Sequence, residues 1–467
     1  MLMKIRTLAI LIFVLVLPVT LYFLPHHQQV ELTPNKQTAT AKESALPTRT
    51  TESLLPIQHW VTANGAKIYF VATNGIPMVD IQVNFDAGSA RDGAKPGLSQ
   101  FCVGMLNEGA ADLNADQIAD QFENLGTVFN NTNNRDRTIL SIRSLSEPKF
   151  LNPSASLLAT LLSQPTFPDP NVERVRNEIL VDIKRNLQKP SVVASQALFK
   201  AIYQDHPYAH PISGTEGSVA TITKNDLVAF HQQYYVATNA TITIVGGITK
   251  EAATDLAKLL SEKLPKGSKA VALPTVPTLT KAVEQNIPFP TEQTHILTGQ
   301  PCAAEGDPDY FAWLIGDYVL GSNQLNSRLF KEIREDRGLA YNVRSGILFL
   351  QQPGPFVIQL QTKNEQTKEA IGILKDTLTR FVTEGPTDKE VSDAKLGIAR
   401  GLPLEINDNH KITNFVSTLG FYNLPLDYLN TYIKRLEAVS LQDIKTVFQK
   451  RIHPNDMALI VVGSNPN

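Results

Sequence analysis

Histidine and cysteine are the side chains that most often bind metals or act as nucleophiles, and this chain has few of them. Its 467 residues include nine histidines and two cysteines. Only His206 and His210 are four positions apart, the spacing that puts two imidazoles on one face of a helix. Pro207 and Pro211 follow them directly, and proline interrupts helices. We therefore predict a turn here rather than a metal site.

The two cysteines, Cys102 and Cys302, are too far apart in the sequence for a C-x-x-C metal or redox motif, and two cysteines do not make a disulfide framework. We interpret them as small buried hydrophobic residues, with a disulfide as the alternative. The sequence also contains no G-x-S-x-G nucleophile motif, phosphate-binding P-loop or dinucleotide-binding fingerprint. It therefore indicates neither a serine hydrolase nor a nucleotide-binding enzyme.

Composition and charge place the chain among globular proteins. It is 42% hydrophobic and 19% charged, and its length predicts two or three domains. The 43 basic and 45 acidic residues give a formal net charge of −2. A protein without a basic field cannot neutralise a run of phosphates, so nucleic acid is excluded as the expected partner.

The first 25 residues form a separate segment. Lys4 and Arg6 precede an uncharged, mostly apolar run at residues 8–24, which is longer than most cleavable signal cores and close to the minimum for a spanning helix. No small-residue cleavage site follows directly. We expect an exported protein, anchored in the inner membrane with its globular part in the periplasm, and cleavage to a free periplasmic protein is the alternative. The polar residues 26–56 are predicted to be a flexible tether.

The rest of the chain contains an internal repeat. Matching residues recur at a constant offset of 217 positions: Glu173 and Glu390, Asp226 and Asp443, Asn239 and Asp456, Gly246 and Gly463. This offset predicts two duplicated domains, at residues 57–263 and 285–467, joined by a linker at 264–284 that is rich in proline and threonine. Alternating strand patterns between helical patterns predict the α+β class, with a mostly antiparallel sheet and packed helices in each domain.

One segment of the first domain, residues 97–109, resembles the active-site helix of the pitrilysin, insulin-degrading and mitochondrial processing peptidase family. In that family the two histidines of H-x-x-E-H bind zinc and the glutamate activates water. The matching positions here are Gln100, Val103 and Gly104, and the family's third ligand, a glutamate, matches Asp182. A catalytic zinc site needs about three protein ligands, so the resemblance implies a degenerate motif that holds no metal.

A segment of the second domain, residues 320–341, retains the family's pattern. In the family, an arginine and a tyrosine seven positions apart reach the substrate at the zinc of the facing half, and they match Arg334 and Tyr341. An arginine can donate to a substrate carbonyl, and a tyrosine hydroxyl can stabilise an oxyanion. The alternative is that Arg334 lies on a solvated helix face and Tyr341 packs against a strand.

The resemblance implies a zinc-less subunit that helps to bind peptide substrates for a homologous, zinc-bearing partner subunit. The peptide would add a strand to a sheet edge, so that main-chain hydrogen bonds supply the affinity. No cofactor is expected in this chain, and the chain alone is expected to be inactive. The first alternative is a non-peptidase structural or peptide-binding scaffold of the same fold. A second is an independent peptidase with a rearranged metal site.

Overall fold

The computed structural model describes residues 55–464, which form two sheets covered by helices. The predicted anchor at residues 1–25 lies outside the described residues, as does nearly all of the predicted tether. Between residues 55 and 464, no helix is long and apolar enough to cross a membrane.

The first half contains a six-stranded sheet and eight α-helices. Its strands are β1 Gln58–Val61, β2 Lys67–Ala72, β3 Met78–Phe85, β4 Gly109–Ala110, β5 Leu113–Asn114, β6 Val128–Asn133, β7 Thr138–Leu145 and β8 Ala240–Gly246. Its helices are α1 Leu98–Met105, α2 Ala115–Asn124, α3 Pro148–Ser163, α4 Asp169–Leu187, α5 Pro190–Tyr203, α6 Glu216–Thr221, α7 Lys224–Tyr234 and α8 Lys250–Glu262. The main sheet has the order β1-β2-β8-β3-β7-β6, and only the β2/β8 pair is parallel.

The second half contains a five-stranded sheet and six α-helices. Its strands are β9 Val283–Pro288, β10 Gln293–Ala303, β11 Ala340–Ile347, β12 Gly354–Lys363 and β13 Ala458–Gly463. Its helices are α9 Tyr310–Asp317, α10 Thr367–Glu384, α11 Asp388–Gly401, α12 Asn409–Tyr422, α13 Tyr428–Ala438 and α14 Leu441–Arg451. Two π-helical segments, Tyr318–Ser322 and Phe330–Glu335, lie between α9 and β11. The sheet has the order β11-β12-β10-β13-β9, and only the β13/β9 pair is parallel.

The two sheets have the same topology. The order β2-β8-β3-β7-β6 in the first half corresponds to β9-β13-β10-β12-β11 in the second, and the first sheet adds β1 at one edge. The repeated aspartates have the same role in both halves, because Asp226 in α7 and Asp443 in α14 complete capping boxes with Thr223 and Ser440. The predicted duplication and the α+β class are confirmed.

Each half covers the sheet of the other half with one helix. Helix α5 packs on β10 and β13, and α12 packs on β3 and β8. Ser417 of α12 shows how closely the elements fit, since its hydroxyl accepts hydrogen bonds from Gln82 (2.8 Å) and Asn84 (2.5 Å) in the first sheet. The two halves therefore share one interior.

The connection between the halves is also packed. Strand β9 begins at Val283, just inside the predicted linker, and the preceding segment buries Leu273, Val276 and Leu279. Because buried apolar side chains fix a chain in place, this connection is part of the molecule's interior rather than a loose spacer.

The structure confirms two local interpretations. Cys102 and Cys302 are both buried free cysteines. The chain turns at Pro207–Ala209, a short 3₁₀ segment capped by His206, whose Nδ1 accepts from the backbone of Tyr208 at 3.1 Å.

Candidate functional site

A buried carboxylate fixes the start of α1, the helix that carries the degenerate motif. The Asp92 side chain accepts hydrogen bonds from the backbone N–H groups of Gly97 and Ser99, both at 2.7 Å. These N–H groups belong to the first turn and have no partner within the helix. Burial raises the pKa of Asp92 to about 7, although these hydrogen bonds oppose the shift. Gly97 has φ of 95°, and a Cβ atom there would lie 2.8 Å from the Ser213 carbonyl oxygen.

The positions that match the family's zinc motif lie where helix α1 meets helix α4. Val103 is only 1% exposed and belongs to the core, and a Cβ atom at Gly104 would lie 3.7 Å from the Cγ1 atom of Val175 on α4. Farther along α4, the Asp182 carboxylate accepts a 2.7 Å hydrogen bond from Arg185. The structure brings α1 against α4, with apolar atoms of Val103 and Val175 in the hydrophobic core.

These residues do not fit a zinc ion. Zinc in proteins takes nitrogen, sulfur or carboxylate ligands in a tetrahedral arrangement. Gln100 offers only an amide, Val103 and Gly104 offer nothing, and Asp182 is paired with Arg185. Throughout residues 55–464, no group of three or more His, Cys, Asp or Glu side chains is arranged to hold a metal ion.

The edge of the first sheet is joined to α1. Asn131 of β6 donates to the Val103 carbonyl at 3.0 Å and to the Asn107 side chain at 3.2 Å, and Asn133 donates to the Ser99 hydroxyl at 2.8 Å. Because β6 is the last strand of its sheet, its outer backbone groups can pair with an extended peptide. The asparagines carry no pattern that would predict this role from sequence alone.

The structure brings Arg334 and Tyr341 together. The guanidinium carbon of Arg334 lies 4.7 Å from the centroid of the Tyr341 ring and 4.9 Å from that of Phe330, within the range of cation–π attraction. Tyr341 is 81% exposed, an unusual position for an aromatic ring. Phe330 is a contributor that the sequence reasoning missed, since its spacing also suits ordinary core packing.

A turn and a bulge produce this arrangement. Arg334 lies in the second π-helical segment, and the chain reverses at Gly338, which has φ of 62° and donates to the Arg334 carbonyl at 3.0 Å. On the return strand, Ala340 pairs with Thr362 and Val343 with Leu360, so two residues of β11 oppose one residue of β12. Such a bulge redirects a side chain, here Tyr341.

Two ion pairs hold this segment against neighbouring helices. Arg328 donates twice to Glu390 of α11, at 2.7 Å for each bond. Burial favours the neutral form of Glu390, but the hydrogen bonds from Arg328 and Thr387 outweigh it and lower the pKa to about 2. Glu332 accepts from Thr377 and Arg380 of α10.

The two candidate sites belong to different halves of the molecule. Gln100, Val103, Gly104 and Asp182 lie on α1 and α4, whereas the Arg334–Tyr341 pair lies beside β11. Within residues 55–464, no hydrogen bond, ion pair or ring contact joins these two groups. The two groups therefore make no direct contact with each other.

Comparisons with known proteins agree with one another. Residues 68–216 match the model of insulinase, peptidase family M16, and residues 221–398 match that of the peptidase M16 inactive domain. A solved structure of a peptidase M16 inactive domain from Pseudomonas fluorescens is 36% identical, with a TM-score of 0.85, and the match covers 88% of this chain and 98% of that one.

Two curated relatives match most of the chain. The uncharacterized zinc protease YmxG of Bacillus subtilis (strain 168) is 26% identical over 88% of this chain and 99% of its own length. The non-peptidase homolog YmxG of Helicobacter pylori is 25% identical over 83% of this chain and 90% of its own length.

Proposed function

Because the chain belongs to peptidase family M16, as its resemblance predicted, we propose that it is a non-catalytic subunit that orients peptides for a homologous zinc-bearing partner subunit. The observation that carries this proposal is the pairing of Arg334 with Tyr341 on an exposed surface. Because the ring of Tyr341 is exposed, it does not pack in the core of this half, and packing does not explain its position.

The chemistry of the two residues suits a peptide group. The guanidinium of Arg334 offers a planar fork of donors to a carbonyl or carboxylate oxygen. The Tyr341 hydroxyl can donate to an oxygen that gains negative charge during peptide cleavage. Stacking against Phe330 and Tyr341 limits the orientations of the guanidinium, so less rotational freedom is lost when a peptide binds.

The features of the first half favour a non-catalytic role for the chain. Its α1–α4 contact lacks zinc ligands and a base, but the edge of β6 beside it remains suited to an added peptide strand. One relative is named a zinc protease and another a non-peptidase homolog, so both kinds of chain occur among similar proteins.

Mutagenesis in a mixed complex tests the proposal. The chain would be combined with a zinc-bearing M16 chain from the same genome, and cleavage of an unstructured peptide measured. We expect Arg334→Ala and Tyr341→Phe to lower kcat/KM without dissociating the complex, by about 10²–10³-fold if each donor serves the transition state. Lys331→Ala, which removes an exposed cation from the same π-helical segment, should leave the rate unchanged.

A peptide-binding scaffold is the second candidate, and the name of the Helicobacter pylori relative favours it. Full activity of the mixed complex with both substitutions, or failure to find any complex, would make the scaffold the better proposal. Peptide binding at the edge of β6 would then remain and could be measured on the chain alone.

Location outside the cytoplasm is also part of the proposal. The apolar run at residues 8–24, preceded by Lys4 and Arg6, supports an inner-membrane anchor with the rest of the chain in the periplasm. A reporter that is active only in the periplasm, fused after residue 467, should therefore be active in membrane fractions. Recovery of the full-length chain free in the cytoplasm would contradict this location.

A further inference from the structure

A buried carboxylate lies at the base of the segment that carries Arg334 and Tyr341. We call residues 323–341 the arm. Asp317, the last residue of α9, accepts a 2.5 Å hydrogen bond from the Ser345 hydroxyl. Asp317 precedes the arm, and Ser345 follows it on β11. This bond therefore joins the segments on either side of the arm.

The backbone is packed closely at the same point. A Cβ atom at Gly321 would lie 2.6 Å from the backbone nitrogen of Ser345 and 2.4 Å from its hydroxyl oxygen. Only glycine allows the first π-helical segment to approach β11 this closely. The approach brings the Ser345 hydroxyl within reach of the Asp317 carboxylate.

The other contacts of the arm act at its middle. Arg328 is held by Glu390 of α11, and Glu332 is held by Thr377 and Arg380 of α10. These contacts lie between Asn323 and the turn at Gly338, so they fix the part of the arm that precedes the turn. Asp317 adds a side-chain link to the return strand beyond the turn, beside the backbone bond from Gly338 to Arg334 and the pairing of β11 with β12.

Burying the Asp317 carboxylate in the core costs folding free energy. Burial raises the pKa of its carboxyl to about 7, although the hydrogen bond from Ser345 opposes the shift. A buried carboxylate loses its hydration, and a single hydrogen bond offsets only part of that cost, so Asp317 is weak support for global stability.

We propose that Asp317 is a positioning residue: it holds the two ends of the arm in register and thereby fixes the place at which Arg334 and Tyr341 are presented. The consequence for peptide cleavage rests on the function proposed above. The positioning of the arm does not, and it can be measured on the chain alone.

The test compares local order with global stability at pH 8 in the full chain. Asp317→Asn, Asp317→Leu and Ser345→Ala each remove the bond between the charged carboxylate and Ser345. We expect hydrogen exchange of the amides at residues 334–342 to rise about tenfold or more, and to rise by a larger factor than exchange in the sheets of either half. Unchanged exchange in the arm, or exchange that rises equally everywhere, would overturn the proposal. If the leucine variant does not fold, the other two decide.

Asp92→Asn provides the matched control. Asp92 is also buried and its pKa is also raised to about 7, but it caps α1 in the first half. Its substitution should speed exchange near residues 97–99 and leave the arm unchanged. A change in the arm with Asp92→Asn would show that loss of any buried carboxylate loosens it, which contradicts the proposal.

The mixed complex separates this inference from the function on which it draws. If the arm orients peptides, Asp317→Asn should lower kcat, and conservative Ser345→Thr, which keeps the hydroxyl, should retain more activity than Ser345→Ala. Faster exchange in the arm with no effect on cleavage would support Asp317 as a positioning residue and contradict the role proposed for Arg334 and Tyr341.

Discussion

The contact between Gly104 and Val175 decides what the first half can do chemically. A metal centre between α1 and α4 would need polar ligands on both helices, and here a Cβ atom at Gly104 would lie 3.7 Å from a Val175 methyl group. Val103, at the position of the family's base, is part of the hydrophobic core. Restoring any one of these side chains would leave the others apolar, so no single substitution creates a metal site.

We predict that the purified chain binds no stoichiometric zinc and cleaves no unstructured peptide by itself. The reason is the donor set, since Gln100, Val103 and Gly104 supply neither two imidazoles nor a carboxylate base. Metal analysis after dialysis and a peptidase assay with and without chelator measure this, with a zinc-bearing M16 chain as positive control. About one tightly held zinc per chain together with chelator-sensitive cleavage would contradict the prediction.

At the scale of elements, regular local signals were readable from sequence and unusual geometry was not. The caps of α7 and α14 follow from Thr223 with Asp226 and Ser440 with Asp443, and their equal spacing revealed the duplication. The π-helical segments and the bulge at Tyr341 have no comparable signature, because they depend on close packing against β11 and β12. The spacing in the sequence therefore identified Arg334 and Tyr341 as candidate residues, but it did not predict the contact between them.

The ion pair between the arm and α11 predicts a loss of stability in acid. The pKa of Glu390 is lowered to about 2 from its usual 4.5, so its ionised form is favoured in the folded state. The stabilisation is complete above about pH 4.5 and is lost as the pH falls toward 2, because protonation then breaks the pair with Arg328. Denaturant unfolding at pH 5 and pH 3 should show a smaller difference for Glu390→Gln than for the wild type.

Glu384→Gln is the control for this measurement, since Glu384 is an exposed carboxylate at the end of α10. It should retain the acid dependence of the wild type. An equal pH dependence in the wild type and Glu390→Gln would mean that the pair with Arg328 contributes nothing measurable.

At the scale of the whole molecule, the exchange of helices between the halves makes the duplicated domains interdependent. Helix α5 belongs to the first half in sequence, yet it packs on the second sheet. Helix α12 belongs to the second half and packs on the first sheet. A domain boundary drawn from sequence assigns each helix to its own half, because linkers leave signals in composition and long-range packing does not. The duplication was thus predictable, and the way in which the copies interlock was not.

A single carboxylate joins the halves at the turn between β6 and β7. Asp136 accepts hydrogen bonds from Tyr208 of the first half (2.5 Å) and from Tyr422 and the Gln351 backbone of the second half, both at 2.8 Å. Its side chain is buried, and desolvation raises the pKa of its carboxyl despite these bonds. Tyr208 is fully buried, so its hydroxyl would be left without this acceptor if the carboxylate were removed.

We predict that Asp136→Ala lowers the free energy of unfolding by about 3–5 kcal/mol, because it leaves several buried donors unsatisfied. Tyr422→Phe removes one donor together with its need for an acceptor and should cost only about 1 kcal/mol. The double variant should cost less than the sum of the two, since the tyrosine no longer loses a bond when Asp136 is absent. Denaturant unfolding of the four proteins measures this coupling, with Asp120→Ala on the exposed face of α2 as the control. Strictly additive costs, or a loss below about 1 kcal/mol for Asp136→Ala, would show that Asp136 does not couple the two halves.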